Sequence, residues 1–211
     1  MHLLQPEFAI PRDEALALAA QRGFGLLTAF DGARPIGSHI PFVIRDGVVQ
    51  AHVTKANPLA ALADGRDLLL AVTGPDTYIS NDWYATPDNV STWLYEAVHL
   101  TGPARRRELT LNRAHGDALL ATAEARVAPK PPWDLAIMEP GKREAMLAHI
   151  VTLEIAITRV EGQRKHNQLK SDADHLAIIR MLESRGESNG CAIAARMRAA
   201  RPHLRDRGSG G

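Results

Sequence analysis

Residues 24–54 read FGLLTAFDGARPIGSHIPFVIRDGVVQAHVT, and this stretch decides the fold. Two Asp-Gly pairs, Asp31-Gly32 and Asp46-Gly47, are hairpin turn signals flanked by β-branched or aromatic residues. They predict an antiparallel meander of three strands at residues 24–30, 36–44 and 48–54.

Elements on both sides of the meander complete an α+β pattern. Helices are expected at residues 11–21, 57–63, 109–125, 142–148, 171–184 and 191–200. Further strands are expected at residues 68–73, 77–80, 92–101 and 150–160, with a turn at Gly74-Pro75-Asp76 and a strand end at Gly102-Pro103. Many short strands in succession with helices at the edges imply an α+β domain built on a small β-barrel.

Composition excludes several classes of protein. The chain of 211 residues has a net charge of +1, so the whole molecule has no polyanion-binding signature. No apolar run approaches the roughly 20 residues of a membrane span, and the N-terminus lacks the layout of a secretory signal. A single cysteine, Cys191, excludes a disulfide framework and a cysteine zinc cluster, and no metal site is expected. A cytoplasmic protein is the simplest interpretation.

The segment His52–Pro58, HVTKANP, is a candidate phosphate site. A strand that turns into a helix at Asn57-Pro58 presents backbone N–H groups to an anion, and Lys55 lies beside them. The alternative is a capped helix with a solvated lysine, because Asn-Pro caps are common. His39, on the neighbouring strand in the segment SHIPF (38–42), can donate to a phosphate or to a ring carbonyl, and its alternative is an ordinary half-buried strand histidine. Two histidines and a lysine on adjacent strands near one strand-to-helix turn favour a site.

Aromatic residues concentrate just after this segment. Trp93, Tyr95 and His99 fall on one face of the predicted strand at residues 92–101. Each ring carries an N–H or O–H that requires a partner, so this face is too polar for pure core. It suits a dimer interface or the roof of a flat aromatic cofactor.

Five collinear blocks resemble the PaiB-type FMN-binding negative transcriptional regulators. They are SHIPF at 38–42, HxxKANP at 52–58, YISxxWY at 78–84, TWxY at 92–95 and AVH at 97–99. The resemblance implies a split β-barrel of the pyridoxamine-phosphate-oxidase-like type with flanking helices and a homodimer with FMN between its subunits. The expected division is an FMN-binding split-barrel domain at 1–165, a helical C-terminal extension at 166–200 and a disordered tail at 201–211.

The resemblance also assigns residues to the FMN site. Lys55, Ala56 and Asn57 correspond to its phosphate end, and Ser38, His39 and Ile40 to its ribityl or ring wall. Trp93, Tyr95 and His99 correspond to face or interface groups, and His52 completes the set. One loop departs from the family pattern Lys-x-Ser-Gln-Asn: here residues 165–169 read KHNQL, which matches at Lys165 and Gln168 only.

Three functions stay open at this point. The first is an FMN-dependent oxidoreductase reduced by NADH or NADPH, with catalytic residues unknown and His39, His52 and His99 as the candidates for proton transfer. The second is a ligand-sensing negative regulator without enzymatic activity, and the third is a haem-binding variant. Direct nucleic-acid binding has weak support, because the local charge of about +5 over residues 159–211 is more often a solvated helix end.

Overall fold

A computed structural model describes residues 1–204, which form eight strands and six α-helices. The strands are β1 (Ala9–Ile10), β2 (Phe24–Phe30), β3 (Pro35–Arg45), β4 (Val48–Thr54), β5 (Asp67–Ile79), β6 (Thr92–Arg106), β7 (Ile150–Ala156) and β8 (Arg159–Lys165). The helices are α1 (Arg12–Arg22), α2 (Pro58–Leu62), α3 (Thr110–Ala125), α4 (Lys142–Ala148), α5 (Asp172–Arg185) and α6 (Ser188–Ala200). The α+β class predicted from sequence is confirmed.

The chain divides into two compact units made from interleaved segments. The first comprises Met1–Pro11, Thr73–Ala97 and the chain from Glu161 onward, and the second comprises Arg12–Val72 and Val98–Val160. The sequence division at residue 165 stays a prediction. Of the predicted disordered tail, residues 205–211 lie outside the described residues.

The second unit contains a closed ring of strands. The hydrogen-bonded order runs β6-β5-β2-β3-β4-β7, and a further pairing of β6 with β7 returns to the start. The pairs β2–β3, β2–β5, β3–β4, β4–β7 and β6–β7 are all antiparallel. Alternate residues point inward, and the interior is filled by fully buried apolar side chains that include Leu27, Val49, Leu70, Leu153 and Ile155.

The closure of this ring depends on a glycine. A Cβ at Gly102 of β6 would lie 1.7 Å from the carbonyl oxygen of Ala156, the last residue of β7. Just beyond, the backbone N–H of Thr158 donates to the carbonyl of Thr101 at 3.0 Å. The two strands approach too closely here for any side chain at residue 102.

The first unit has a separate core. Here α5 and α6 pack with parts of β5 and β6 around a buried cluster of Ile79, Tyr84, Leu94, Ile178, Ile179, Leu182, Ile193, Ala194 and Met197. Helix α5 begins at an N-cap serine, since Ser171 Oγ accepts from the N–H of Asp174, and it ends at Gly186 with φ 68°. Within residues 1–204, no helix is long and apolar enough to span a membrane.

Most predicted elements are confirmed, and three are wrong. The predicted turn at Gly74-Pro75-Asp76 lies inside β5, and the predicted strand end at Gly102-Pro103 lies inside β6. The pairing of β5 with β2 covers Leu69–Ala71, so Pro75 lies beyond it and removes no hydrogen bond to that strand. The predicted single strand at residues 150–160 is two strands, β7 and β8.

Candidate functional site

Ser38 and Asn57 meet at the turn from β4 into α2, as the sequence predicted for neighbouring strands. Asn57 caps α2 through its Oδ1, which accepts from the N–H of Leu59 at 2.9 Å. Its Nδ2 donates to Ser38 Oγ on β3 at 2.8 Å. The amide is therefore fixed from both ends, and it orients the serine hydroxyl beside the turn.

Most backbone N–H groups of this turn already have acceptors. Lys55 N–H donates to the carbonyl of His149 at 2.9 Å, and Asn57 N–H donates to the carbonyl of Thr54 at 3.0 Å. Pro58 has no N–H, and α2 has only five residues. The expected cradle of helix N–H groups is thus largely occupied, and an anion here depends on side chains. The side chains of Lys55 and Ala56 are exposed, so the ammonium group is accessible.

His39 and Ile40 lie on opposite faces of β3. His39 is exposed and its ring stacks on Phe24 of β2, with ring centroids 6.1 Å apart and an interplanar angle of 19°. Ile40 is 3% exposed and belongs to the core of the second unit. Only His39 of this pair presents polar atoms at the surface.

His52 contacts a histidine that the sequence did not indicate. Its Nδ1 lies 3.0 Å from Nε2 of His115 on α3, and the two rings meet edge to face with centroids 5.2 Å apart. One ring must donate and the other accept, so the two histidines cannot both be protonated. His115 is 3% exposed, and its Nδ1 has no partner among the described residues.

Both histidines are held neutral by their surroundings. Burial lowers the pKa of His52. Burial also lowers the pKa of His115 to about 4, with the charges of His52 and Arg45 acting in the same direction. A neutral pair with one shared N–H is the resting state at physiological pH.

His52 also lines a cavity of about 410 Å³ in the second unit. The lining is mostly apolar and includes Phe24, Phe42 and Leu119. At one side is Arg126, whose guanidinium donates to the carbonyls of Ala20 and Arg22 at the end of α1. The cavity combines an apolar wall with an imidazole.

The first unit carries the predicted aromatic face. Trp93 is 55% exposed and meets Tyr78 of β5 edge to face, with centroids 6.1 Å apart. Both line a cavity of about 640 Å³ together with Trp83, over which the Arg185 guanidinium lies at 5.4 Å. Exposed aromatic side chains grouped in this way are typical of interaction surfaces.

Tyr95 and His99 follow Trp93 along β6 and are half-buried, whereas the intervening residues Leu94, Glu96 and Val98 are buried. The predicted alternation of β6 is therefore observed. The unit boundary after Ala97 places Trp93 and Tyr95 in the first unit. His99, together with Ser38, His52 and Asn57, lies in the second.

His115 is the site residue that sequence reasoning missed. Helix α3 was predicted, but its buried face could not be told from its exposed face by hydrophobicity alone. Asn112 and His115, three residues apart, both lie on the buried face. Asn112 donates to the carbonyls of Leu147 and Ile150 and accepts from Thr152 Oγ at 2.7 Å.

The chain matches a known protein family over most of its length. The model of a family described as "Putative FMN-binding domain" matches residues 1–159. The chain is 26% identical over 190 residues to "Protease synthase and sporulation protein PAI 2" of Bacillus subtilis (strain 168). That match covers 88% of this chain and 90% of the relative.

Two solved structures are similar in fold. The FAD and haem binding protein from Mycobacterium smegmatis has a TM-score of 0.57 at 19% identity, covering 79% of this chain and 77% of its own. The flavocytochrome Anf3 from Azotobacter vinelandii has a TM-score of 0.54 at 14% identity, covering 75% and 70%. At these identities the likeness shows the fold, which is the split β-barrel expected from sequence.

The buried histidine pair makes stability depend on pH. Unfolded His115 binds a proton near its ordinary pKa of 6.5, whereas the folded protein binds it only near 4. The stabilisation is complete above pH 6.5 and is lost as the pH falls from there through about 4. A shift of this size corresponds to a loss on the order of 3 kcal/mol.

We therefore expect His115→Gln to reduce the pH dependence of the unfolding free energy in this range, measured by urea denaturation at a series of pH values. His149→Gln, at an exposed position, is the matched control and should leave the slope unchanged. Equal slopes for His115→Gln and the parent would contradict the assignment.

Proposed function

The chain belongs to the FMN-binding domain family, with FMN as its cofactor, and we propose that it is a cytoplasmic, homodimeric flavoprotein with NAD(P)H-dependent redox activity. The observation that carries the proposal is the bond between Asn57 and Ser38 beside the exposed Lys55. A hydroxyl, an amide and an ammonium group gathered at one turn form a donor set suited to a phosphate.

Each residue of this turn has a defined role in the proposal. Lys55 supplies the positive charge that meets the FMN phosphate, and Ser38 supplies a hydroxyl whose position is held by Asn57. His39, stacked on Phe24, is the exposed imidazole on the adjoining strand and contacts the ribityl chain or the ring edge. Bound FMN supplies the redox chemistry, taking electrons from a nicotinamide cofactor and passing them to an acceptor.

The aromatic surface of the first unit supports the dimer. Trp93 and Tyr78 are large, exposed and in mutual contact, which is the composition expected at the centre of a protein interface. We assign Trp93, Tyr95 and His99 to the dimer interface, with FMN held between the two subunits.

A second candidate is a ligand-sensing regulator that binds FMN without turnover. Three arginines of the basic C-terminal segment are not free for a DNA contact, since Arg196, Arg198 and Arg201 are paired with Glu96, Glu183 and Asp172. Arg205 and Arg207 lie outside the described residues. These ion pairs favour a regulator whose binding to a partner depends on cofactor occupancy over a regulator that binds DNA through these arginines.

A third candidate is haem binding, and one observation favours it. The ring of His52 lines the apolar cavity of the second unit while its Nδ1 is held by His115. A histidine fixed through one ring nitrogen, with the other directed elsewhere, is the usual arrangement of a metal-ligating imidazole.

Absorbance spectroscopy separates the three functions. We expect flavin bands that bleach when NADH or NADPH is added without oxygen. Flavin bands that do not respond to either donor would favour the sensor. A haem titration that gives a sharp, shifted Soret band with the parent and only the spectrum of free haem with His52→Ala would favour the third candidate, with His149→Ala as the control.

The phosphate assignment is tested by two substitutions. Lys55→Ala removes a charge-assisted contact worth roughly 1.5–3 kcal/mol, so FMN affinity should fall about 10- to 150-fold. Asn57→Asp retains a side-chain oxygen for the cap of α2 but places a negative charge beside the phosphate, and it should weaken FMN binding with little change in Tm.

Fluorescence titration of FMN measures both effects. Lys142→Ala removes an exposed lysine from α4 in the same unit and is the control for net charge. If Lys55→Ala and Lys142→Ala retain FMN equally, the phosphate binds elsewhere.

The dimer assignment predicts a joint effect at Trp93. Trp93→Ala should weaken self-association and FMN retention together, because both depend on the same interface. Sedimentation velocity over a range of concentrations gives the first quantity, and FMN titration gives the second. Trp133→Ala is the matched control at another exposed tryptophan. Loss of one property without the other would contradict a shared interface.

A further inference from the structure

The first unit contains a small cavity that the FMN proposal does not use. It has a volume of about 220 Å³, and much of its wall is apolar, formed by Phe8, Tyr84, Val90 and Leu169. The rest of the wall includes the loop at residues 165–170, where the sequence departs from the family pattern. Largely apolar cavities with a few polar groups are typical of ligand sites, and the volume of this one, below the usual range, limits it to a small ligand.

Two ammonium groups line this cavity without a counter-ion. Lys165 Nζ donates to Thr92 Oγ1 at 2.5 Å, and Lys170 Nζ donates to Asn89 Oδ1 at 2.6 Å. Lys170 also lies 5.5 Å from the centre of the Tyr84 ring. Within residues 1–204, neither lysine forms an ion pair with a carboxylate. Lys165 is half-buried, and burial lowers its pKa.

Asn167 adds a buried donor with no acceptor. The residue is 6% exposed and lines the cavity. Its Oδ1 accepts from the hydroxyl of Tyr84 at 3.3 Å, whereas its Nδ2 has no partner among the described residues. Its φ of 59° is left-handed, a conformation that asparagine tolerates better than most residues. A buried amide N–H without an acceptor destabilises the folded protein unless a ligand supplies an acceptor.

The neighbouring polar groups are already engaged and hold the loop in place. Gln168 donates to the carbonyl of Arg164 at 2.6 Å and accepts from the N–H of His166 at 2.7 Å. The carboxylate of Asp174 acts electrostatically on Tyr84. It is already engaged, because it accepts hydrogen bonds from the backbone N–H of Thr86 and from the hydroxyl of Ser171. The groups left for a ligand are therefore cations and an N–H donor, which favour an anion.

We propose that this cavity is a second binding site, distinct from the FMN phosphate site, for a small carboxylate with an apolar or aromatic body. Lys165, Lys170 and Asn167 Nδ2 receive the carboxylate, and the side chains of Phe8, Tyr84, Val90 and Leu169 enclose the body. A singly charged carboxylate suits the largely apolar wall better than a phosphate dianion, whose desolvation would cost more.

Benzoate is the probe, titrated calorimetrically into the FMN-loaded protein, with benzyl alcohol as the neutral analogue of similar shape. We expect benzoate to bind at least about tenfold more tightly than benzyl alcohol, because only the carboxylate recruits the three donors. Lys170→Met removes one cation, and Asn167→Asp retains the acceptor for Tyr84 but replaces the amide donor with a carboxylate. Each should weaken benzoate binding at least about tenfold.

Lys142→Met, an exposed lysine of α4 in the other unit, should leave benzoate binding unchanged. Circular dichroism and FMN titration accompany every variant and show whether it folds and retains the cofactor. Equal binding of benzoate and benzyl alcohol would overturn the proposal. So would the absence of any binding heat at benzoate concentrations up to about 10 mM, where even weak binding is measurable. Loss of FMN from folded Asn167→Asp would also overturn it, because the cavity would then belong to the cofactor site.

Discussion

The second unit depends on the closure of its strand ring between β6 and β7. Gly102 permits the backbones to approach, and the register Ala104↔Ile155 to Arg106↔Leu153 completes the ring. The hairpin at Asp46-Gly47 pairs β3 with β4, so that Ser38 lies within hydrogen-bond distance of Asn57. Closure of the ring holds β4 against β7 on its other side. It also fixes β7, whose Thr152 bonds to Asn112 and so holds α3 with His115 against His52. The candidate phosphate turn thus depends on the β3–β4 hairpin, and the histidine pair depends on the ring through β7.

The parts of the fold that sequence predicted are those set by local chemistry. The two Asp-Gly turns gave β2 and β4 with their observed bounds, because left-handed Gly47, with φ 74°, and Asp46, with φ 50°, are requirements of the turn itself. Asn57 was identified as a cap for the same reason. By contrast, Gly74-Pro75 and Gly102-Pro103 resemble turns but lie within long strands. Whether a Gly-Pro pair ends a strand depends on whether a neighbouring strand must accept a hydrogen bond from the backbone N–H at that position. The amino-acid sequence alone does not reveal which strands are neighbours.

The same distinction explains what was predicted of the candidate sites. Ser38, Lys55 and Asn57 stand in short motifs whose chemistry is visible along the chain. His115 lies 63 positions from His52, so nothing in the local sequence indicates that they meet. Asn167 was noted only as a departure from a family pattern. Its left-handed backbone and its partnerless Nδ2 are properties of the folded loop, and they change its interpretation from a mismatch to a donor.

The first unit also shows how this chain treats a buried charge when no ligand is involved. The carboxylate of Glu96 is completely buried, and it accepts from Arg164 Nε at 2.6 Å and from the guanidinium of Arg196. His166, beside it, is held neutral, because burial and the two arginine charges lower its pKa to about 3. A charge enclosed by this unit is thus matched by opposite charges from the same chain, as the cost of burying an isolated ion requires. Lys165, at the end of β8, and Lys170, in the loop that follows, are half-buried and form no ion pair with a carboxylate within residues 1–204. Glu96 is neutralised by two arginines of the chain, whereas these two ammonium groups border a largely apolar cavity. An anion from solution would give them the partner that residues 1–204 do not supply.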